Sequence, residues 1–177
     1  MYAIIALLDK TSNDYIRTIW EELREKEFSR YAFEKENMEP HLTLASLGEV
    51  NIPAVQQILE QLVDEFFPLE LPFSAIGSFL GQSIITLNPV KTPALVHLHS
   101  TLHQQLVEYL PVYSLYAPQY WVPHVTLANR VQESHFLQAY QYCLSRCEHF
   151  AGFIVGFKLI FIHDNQSISD IYSISVE

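Results

Sequence analysis

The sequence predicts an α+β fold of two pseudo-symmetric lobes, each a mainly antiparallel sheet with helices on the outside, around a central groove. Three observations predict it. The segment Pro40-His41-Leu42-Thr43-Leu44-Ala45 returns as Pro123-His124-Val125-Thr126-Leu127-Ala128. The order strand, helix, H-x-T strand, helix, strand recurs in both halves, with the two histidines 83 positions apart. Hydrophobic residues make up 49% of the 177 positions and charged residues 17%, which supplies a real core and excludes a disordered chain. One domain is expected over 1–177, with lobe-forming repeats of about 1–80 and 81–177.

Residues 2–8 are apolar and read as a buried strand. Ser12 or Asn13 is expected to cap a helix running to about residue 30, with Ile16, Ile19, Trp20 and Leu23 on one side. The polar stretch from Glu34 to Pro40 is a loop. His41 to Leu47 alternates and forms a strand, stopped by Gly48. Pro53 opens a helix whose Val55, Ile58, Leu59, Leu62, Val63 and Phe66 keep the helical period. Residues 69–79 and 82–88 read as two strands joined at Leu80-Gly81. Thr92 and Pro93 then open a helix to Leu110, and a Pro- and Tyr-rich loop fills 111–123. His124 to Val131 is a strand, Ser134 caps a helix to about residue 148, and 153–163 and 170–176 close the sheet.

The formal net charge is −10. A protein that grips long duplex nucleic acid needs clustered Lys and Arg, so a small nucleotide or an RNA end is favoured instead. No apolar run approaches the roughly 20 residues that span a bilayer, so no membrane partner is expected. The N-terminal MYAIIALLD lacks a basic flank and is expected to be a strand, not a signal peptide. Cys143 and Cys147 stand one helical turn apart and read as small core residues; two cysteines make no disulfide framework, the chain gives no reason to leave the cytoplasm, and a cytoplasmic location is expected. Protein partners are not specified by the sequence.

On a strand the side-chain period is two, so His41 and Thr43 share one face while Leu42 and Leu44 seal the other. The same holds for His124 and Thr126 against Val125 and Leu127. If the lobes meet about a pseudo-twofold axis, two His-Thr pairs confront each other across the groove. One neutral imidazole can then take a proton and one imidazolium can give one, while the threonine hydroxyls bind the oxygens of a phosphate. Imidazole suits both roles because its reference pKa is about 6.5. With eight histidines and seven threonines, even one H-x-T triplet is unexpected. A third occurs at His99-Ser100-Thr101, but on a helix positions i and i+2 diverge, so it is read as a decoy. The competing reading of the other two is a pair of core histidines on half-buried strands.

The two H-h-T-h motifs, set on strands in two similar halves, resemble those of the two-histidine (2H) phosphoesterase superfamily, and most of all its 2′-5′ RNA ligase and RNA 2′,3′-cyclic phosphodiesterase branch. The resemblance implies that His41 and His124 are the catalytic pair and that Thr43 and Thr126 hold the substrate phosphate. It implies a cyclic phosphodiesterase with no metal and no cofactor. Its reaction would open a 2′,3′-cyclic phosphate to a 2′-phosphate, or in reverse join RNA ends through a 2′-5′ link without ATP. Ligase-branch members often carry a basic residue five positions past the second histidine, where this chain has Asn129. Arg130 follows, on the His124 face of a regular strand, and offers itself as a phosphate clamp; the alternative is a solvated charge at the strand's end.

Aromatic residues crowd the loop before the second motif, and Tyr120 and Trp121 are candidate base-stacking residues, with a weaker claim for Phe79. His97, His99 and His103 cluster locally, but the H-E-x-x-H pattern is absent and His99 lies in the leucine stripe, so a satisfied buried histidine is the better account. Two other readings stay open at this point: a catalytically silent nucleotide- or RNA-end-binding protein of the same fold, and metal-dependent hydrolysis through the His97–His103 region.

Overall fold

In a computed structural model, residues 1–35, 38–165 and 167–176 are described. The elements run β1 (Tyr2–Leu8), α1 (Lys10–Glu25), β2 (His41–Leu47), α2 (Ile52–Phe66), β3 (Leu69–Gly77), β4 (Ile85–Pro89), α3 (Pro93–Gln105), β5 (Val125–Ala128), α4 (Glu133–Arg146), β6 (Phe150–Ile162) and β7 (Ile168–Ser175). The expected order holds, and the differences lie at the ends. Helix α1 is capped by Asp9 rather than by Ser12 or Asn13. Helix α3 stops at Gln105, and a short 3-10 turn at Val107–Tyr109 takes up the rest of the leucine stripe. At the cap position of α4 stands Gln132, with no side-chain bond, so Ser134 falls inside the helix. Strand β5 ends at Ala128, three residues early.

The strands form one antiparallel sheet in the order β2-β1-β6-β3-β4-β5, with β7 on β6. The two repeats exchange their third strands. Strand β6, from the second half, pairs with β1, and β3, from the first half, pairs with β4. The long β6 is the spine, taking β3 along Phe150–Ile154 and β7 along Gly156–Ile162, both on the edge opposite β1. The two motif strands, β2 and β5, stand at opposite ends of this path, yet they touch. The sheet therefore folds toward itself, and its two ends wall a groove.

Packing explains the alternation. Ile4, Ala6, Leu8, Leu42 and Leu44 face the helices and join a core with Ile16, Ile19 and Leu23 of α1 and Leu95, Leu98 and Leu102 of α3. Ala3, Ile5 and Ile160 form a separate small cluster, with Leu7 and Ile162 against it. They lie on the opposite face of the sheet, the face of His41 and Thr43. Among the described residues no helix is long and apolar enough to cross a membrane.

Asp9 fixes α1 onto β6. Its carboxylate accepts from the Ser12 amide (3.2 Å), the Ser12 hydroxyl (2.5 Å) and the Phe153 amide (2.8 Å). Burial pushes the Asp9 carboxyl up, but these bonds outweigh it and hold its pKa below the ordinary value. The helix start sits so close to β6 that a Cβ on Gly152 would meet the Ser12 hydroxyl at 2.0 Å. Gly152→Ala is therefore expected to cost about 1–3 kcal/mol in urea denaturation, as overpacking does. Adding Ser12→Ala should return part of that loss. Equal losses with and without the Ser12 hydroxyl would show that the clash is not what Gly152 avoids.

Candidate active site

The alternation expected for the motifs is present. His41 and Thr43 are half-buried while Leu42 and Leu44 are fully buried; His124 and Thr126 are half-buried while Val125 and Leu127 are buried. Along the sheet, Thr43 lies opposite Ile5, and Ile5 opposite Lys158. At the other end Thr126 lies opposite Thr86, and Thr86 opposite Gly77. Directly opposed residues share a face, so these two rows floor the groove from its two walls.

Each catalytic candidate is held in the same way. His41 Nδ1 lies 2.7 Å from the Glu39 carbonyl, and His124 Nδ1 lies 2.8 Å from the Val122 carbonyl. A carbonyl can only accept, so Nδ1 carries the hydrogen in both rings and Nε2 is the nitrogen left for a substrate. In both motifs a proline stands between the carbonyl and the histidine, and its fixed φ holds the carbonyl against the ring. Burial lowers the pKa of both imidazoles. For His41 the bond that Nδ1 donates to the Glu39 carbonyl and the charge of the Glu39 carboxylate oppose burial, while the charges of His124 and Lys158 lower it further.

The backbones of the motif strands are braced crosswise. Trp20, on α1 of the first half, donates from Nε1 to the Thr126 carbonyl at 3.0 Å. Trp121, from the second half, donates to the Thr43 carbonyl at 3.0 Å. A register slip against β1 leaves Leu44 without a partner there, and its carbonyl accepts instead from Nε2 of both His99 and His103, each at 3.0 Å. His99 is thus the satisfied buried histidine that its place in the leucine stripe suggests. Burial and the neighbouring His103 charge bring its pKa down to about 3.

Two expectations need correction. Trp121 is not a base-stacking residue: it is only 3% exposed, lies flat on His99 with ring centroids 3.7 Å apart, and spends its N–H on Thr43. Tyr120, 55% exposed beside Tyr113, keeps a free face. Arg130 does not lie on the His124 face of a strand, because β5 has ended and Arg130 takes a φ of +54°. Its amide bonds to the Asn129 side chain at 2.8 Å, and its guanidinium pairs with Glu34. Phe79 packs edge-on against His124, with centroids 4.9 Å apart.

Two site residues were not foreseen. Tyr31 sets its phenol against the Thr126 side chain, and burial raises its pKa. Lys158 stands beside His41, 14% exposed, paired with Glu39 and, at 3.0 Å, with Asp170. Its signal in the sequence was a single charge in the 13-residue apolar strand FAGFIVGFKLIFI. His97 packs on Phe66 instead of joining His99 and His103. Among the described residues no three His, Cys, Asp or Glu side chains are grouped to hold a metal ion.

A family model described as the 2′-5′ RNA ligase superfamily matches residues 12–153. A protein of Geobacillus thermodenitrificans (strain NG80-2) named "Putative phosphoesterase" is 25% identical over 170 residues, covering 94% of this chain and 90% of that protein. Similar solved structures include a crystal structure of a phosphoesterase, with TM-score 0.58 and 17% identity over 99% of this chain and 97% of the other. E. coli LigT complexed with 3′-AMP has TM-score 0.55 and 19% identity over the same shares. At these identities the structures speak for the fold: an open, mostly antiparallel α+β sheet with four helices, as in LigT.

Trp20→Phe and Trp121→Phe keep most of the ring but leave a motif carbonyl without its donor. Each is expected to lower the unfolding free energy by about 1–3 kcal/mol, read from chemical denaturation; unchanged midpoints would show that the braces carry no stability. His99 gives a pH signature. Its folded pKa lies below the ordinary value of about 6.5, so the unfolded chain binds the extra proton. Its contribution is complete above pH 6.5 and is lost as pH falls toward about 3. His99→Gln should therefore lose less stability than the parent between pH 6.5 and 4. The difference is at most about 1.4 kcal/mol per pH unit, and parallel curves would contradict it.

Proposed function

The chain belongs to the 2′-5′ RNA ligase superfamily, and we propose that it is a metal-independent phosphoesterase acting on RNA-type 2′,3′-cyclic phosphates or 2′-5′ linkages with His41 and His124 as its acid/base pair. The observation that carries this reading is the matched support of the two rings. Both Nδ1 atoms are committed to a carbonyl two residues earlier, at 2.7 and 2.8 Å, which leaves both Nε2 atoms available to a substrate.

In the forward reaction a neutral imidazole takes a proton from water as the water oxygen bonds to phosphorus. The bond from phosphorus to the ribose 3′ oxygen breaks, and the other, protonated imidazole gives that oxygen its proton. The product is a 2′-phosphate. A ribose 5′-hydroxyl in place of water joins two ends through a 2′-5′ link by the same exchange. Thr43 and Thr126 donate hydrogen bonds to the non-bridging oxygens, where charge builds. Arg130, tied to Glu34, reaches the phosphate only by giving up that pair.

The test is turnover of nucleoside 2′,3′-cyclic phosphates in the presence of EDTA. His41→Ala and His124→Ala should each lower kcat by about 10²–10⁴. The reaction needs one ring neutral and one charged, so kcat/KM should be bell-shaped in pH. Both pKa values are lowered, so the bell should centre on the acid side of the ordinary imidazole value. Tight nucleotide binding with no turnover would replace the enzyme with a binding protein of the same fold. Activity that EDTA abolishes would remove the two-histidine mechanism.

A further inference from the structure

The two walls of the groove carry the same motif but have different floors. Beside Thr126 the floor is closed. Thr86 is buried, and its hydroxyl donates to Asn88 Oδ1 at 2.8 Å; Asn88 Nδ2 donates to the Pro123 carbonyl at 3.0 Å. A Cβ on Gly77 would meet Asn88 Oδ1 at 2.6 Å, so this set fills its space. Beside His41 the floor is open. A cavity of about 260 Å³ is lined by His41 itself, by apolar side chains that include Ile5, Ile160 and Ile168, and by two lysines and two carboxylates, Lys35, Lys158, Glu39 and Asp170.

We infer that this cavity seats the nucleobase of the substrate, so that the nucleoside lies on the His41 side of the phosphate. The inference rests on the phosphoesterase reading above and names the part of the substrate that the reading leaves open. Three features support it. The cavity is continuous with the imidazole of His41, so its occupant is attached to the phosphate or next to it. Its floor is the face of β1 and β6 where Ile5 and Ile160 pack in a small cluster of their own, and an apolar floor suits the face of a heterocycle. Its polar edge is a lysine flanked by carboxylates, Glu39 and Asp170, which together offer a hydrogen-bond donor and acceptors.

That edge also selects against the other occupant a groove of this kind could hold, a second phosphate. The two lysines of the lining, Lys35 and Lys158, are matched by two carboxylates, Glu39 and Asp170, so the cavity carries no surplus positive charge to hold a second anion. A heterocycle is neutral and presents both N–H donors and lone pairs along its edge, which matches a side chain set of both kinds. At about 260 Å³ the space has room for one base, and it adjoins a larger cavity of about 670 Å³ with which it shares Lys35, Met38, Glu39 and Lys158.

The experiment compares kcat/KM for a nucleoside 2′,3′-cyclic phosphate with that for the 2,3-cyclic phosphate of 1-O-methylribose, which has no base. The parent should prefer the nucleoside at least tenfold, the scale of an apolar pocket's discrimination. Ile168→Trp, at the partly exposed rim, should reduce that ratio about tenfold by filling the cavity. A variant that merely damages the fold or the chemistry lowers both rates and leaves the ratio alone. A ratio near one in the parent, or a ratio that survives Ile168→Trp and collapses in Tyr120→Ala, would overturn the inference. If the parent turns over neither substrate, methyl NMR with 3′-AMP and with ribose 3-phosphate still decides. Shifts of the Ile5, Ile160 and Ile168 methyls with the nucleotide alone uphold the base seat while the hydrolytic reading falls. Equal shifts with both, or none, reject the seat.

Discussion

The site depends on two backbone carbonyls finding donors. The motif strands stand at the two ends of the strand path, where one edge of each has no neighbouring strand to bond. Buried carbonyls in that position are costly unless something donates to them. Indole N–H groups do so for Thr43 and Thr126, and each indole comes from the half of the chain that does not own the strand. The exchanged third strands cross between halves as well. Neither half can therefore form its own wall alone, and the distance across the groove is set by the same contacts that hold the fold together.

Net charge and site charge need to be kept apart. A chain at −10 repels polyanions at long range. Within the groove, Lys158 and Arg130 stand near the two motifs, and both are tied to carboxylates of the segment before β2: Glu39 and Glu34. In the proposed reaction a phosphate would compete with those carboxylates, and it would gain only where the threonines and an imidazolium add their donors. Such an arrangement favours one phosphorus centre held at short range over a long backbone held by its charges.

What could be read from the sequence was what local pattern controls. The two-residue period of HLTLASL put His41 and Thr43 on one face, and the leucine stripe marked His99 as a core residue; both features are seen. Other features depend on non-local or unsignalled geometry. Nothing in LANR announces that Arg130 turns into the left-handed region, which ends the alternation that had placed it with His124. Asp9 was hidden behind two good capping residues, and its selection follows from the Phe153 amide, which only the folded sheet brings to it. An aromatic-rich loop has no period, so the burial of Trp121 and the exposure of Tyr120 look alike in the sequence. Lys158 mattered because β6 runs between the two lobes, and a strand order with exchanged third strands cannot be read from the order of elements along the chain.

The duplication also explains why the two imidazoles are alike and their surroundings are not. In a reversible transfer the group that acts as acid in one direction acts as base in the other. Two rings with the same tautomer and the same carbonyl support can trade those roles without rearrangement. A ribonucleotide, however, has no twofold axis. Its phosphate can lie between equivalent rings, but its base can lie on one side only. An identical pair of floors would admit two orientations of the substrate, and only one of them presents the leaving oxygen to a given ring. On the proposed reading, closing one floor with Thr86, Asn88 and Gly77 while leaving a cavity beside His41 would break that degeneracy without disturbing the symmetry of the chemistry.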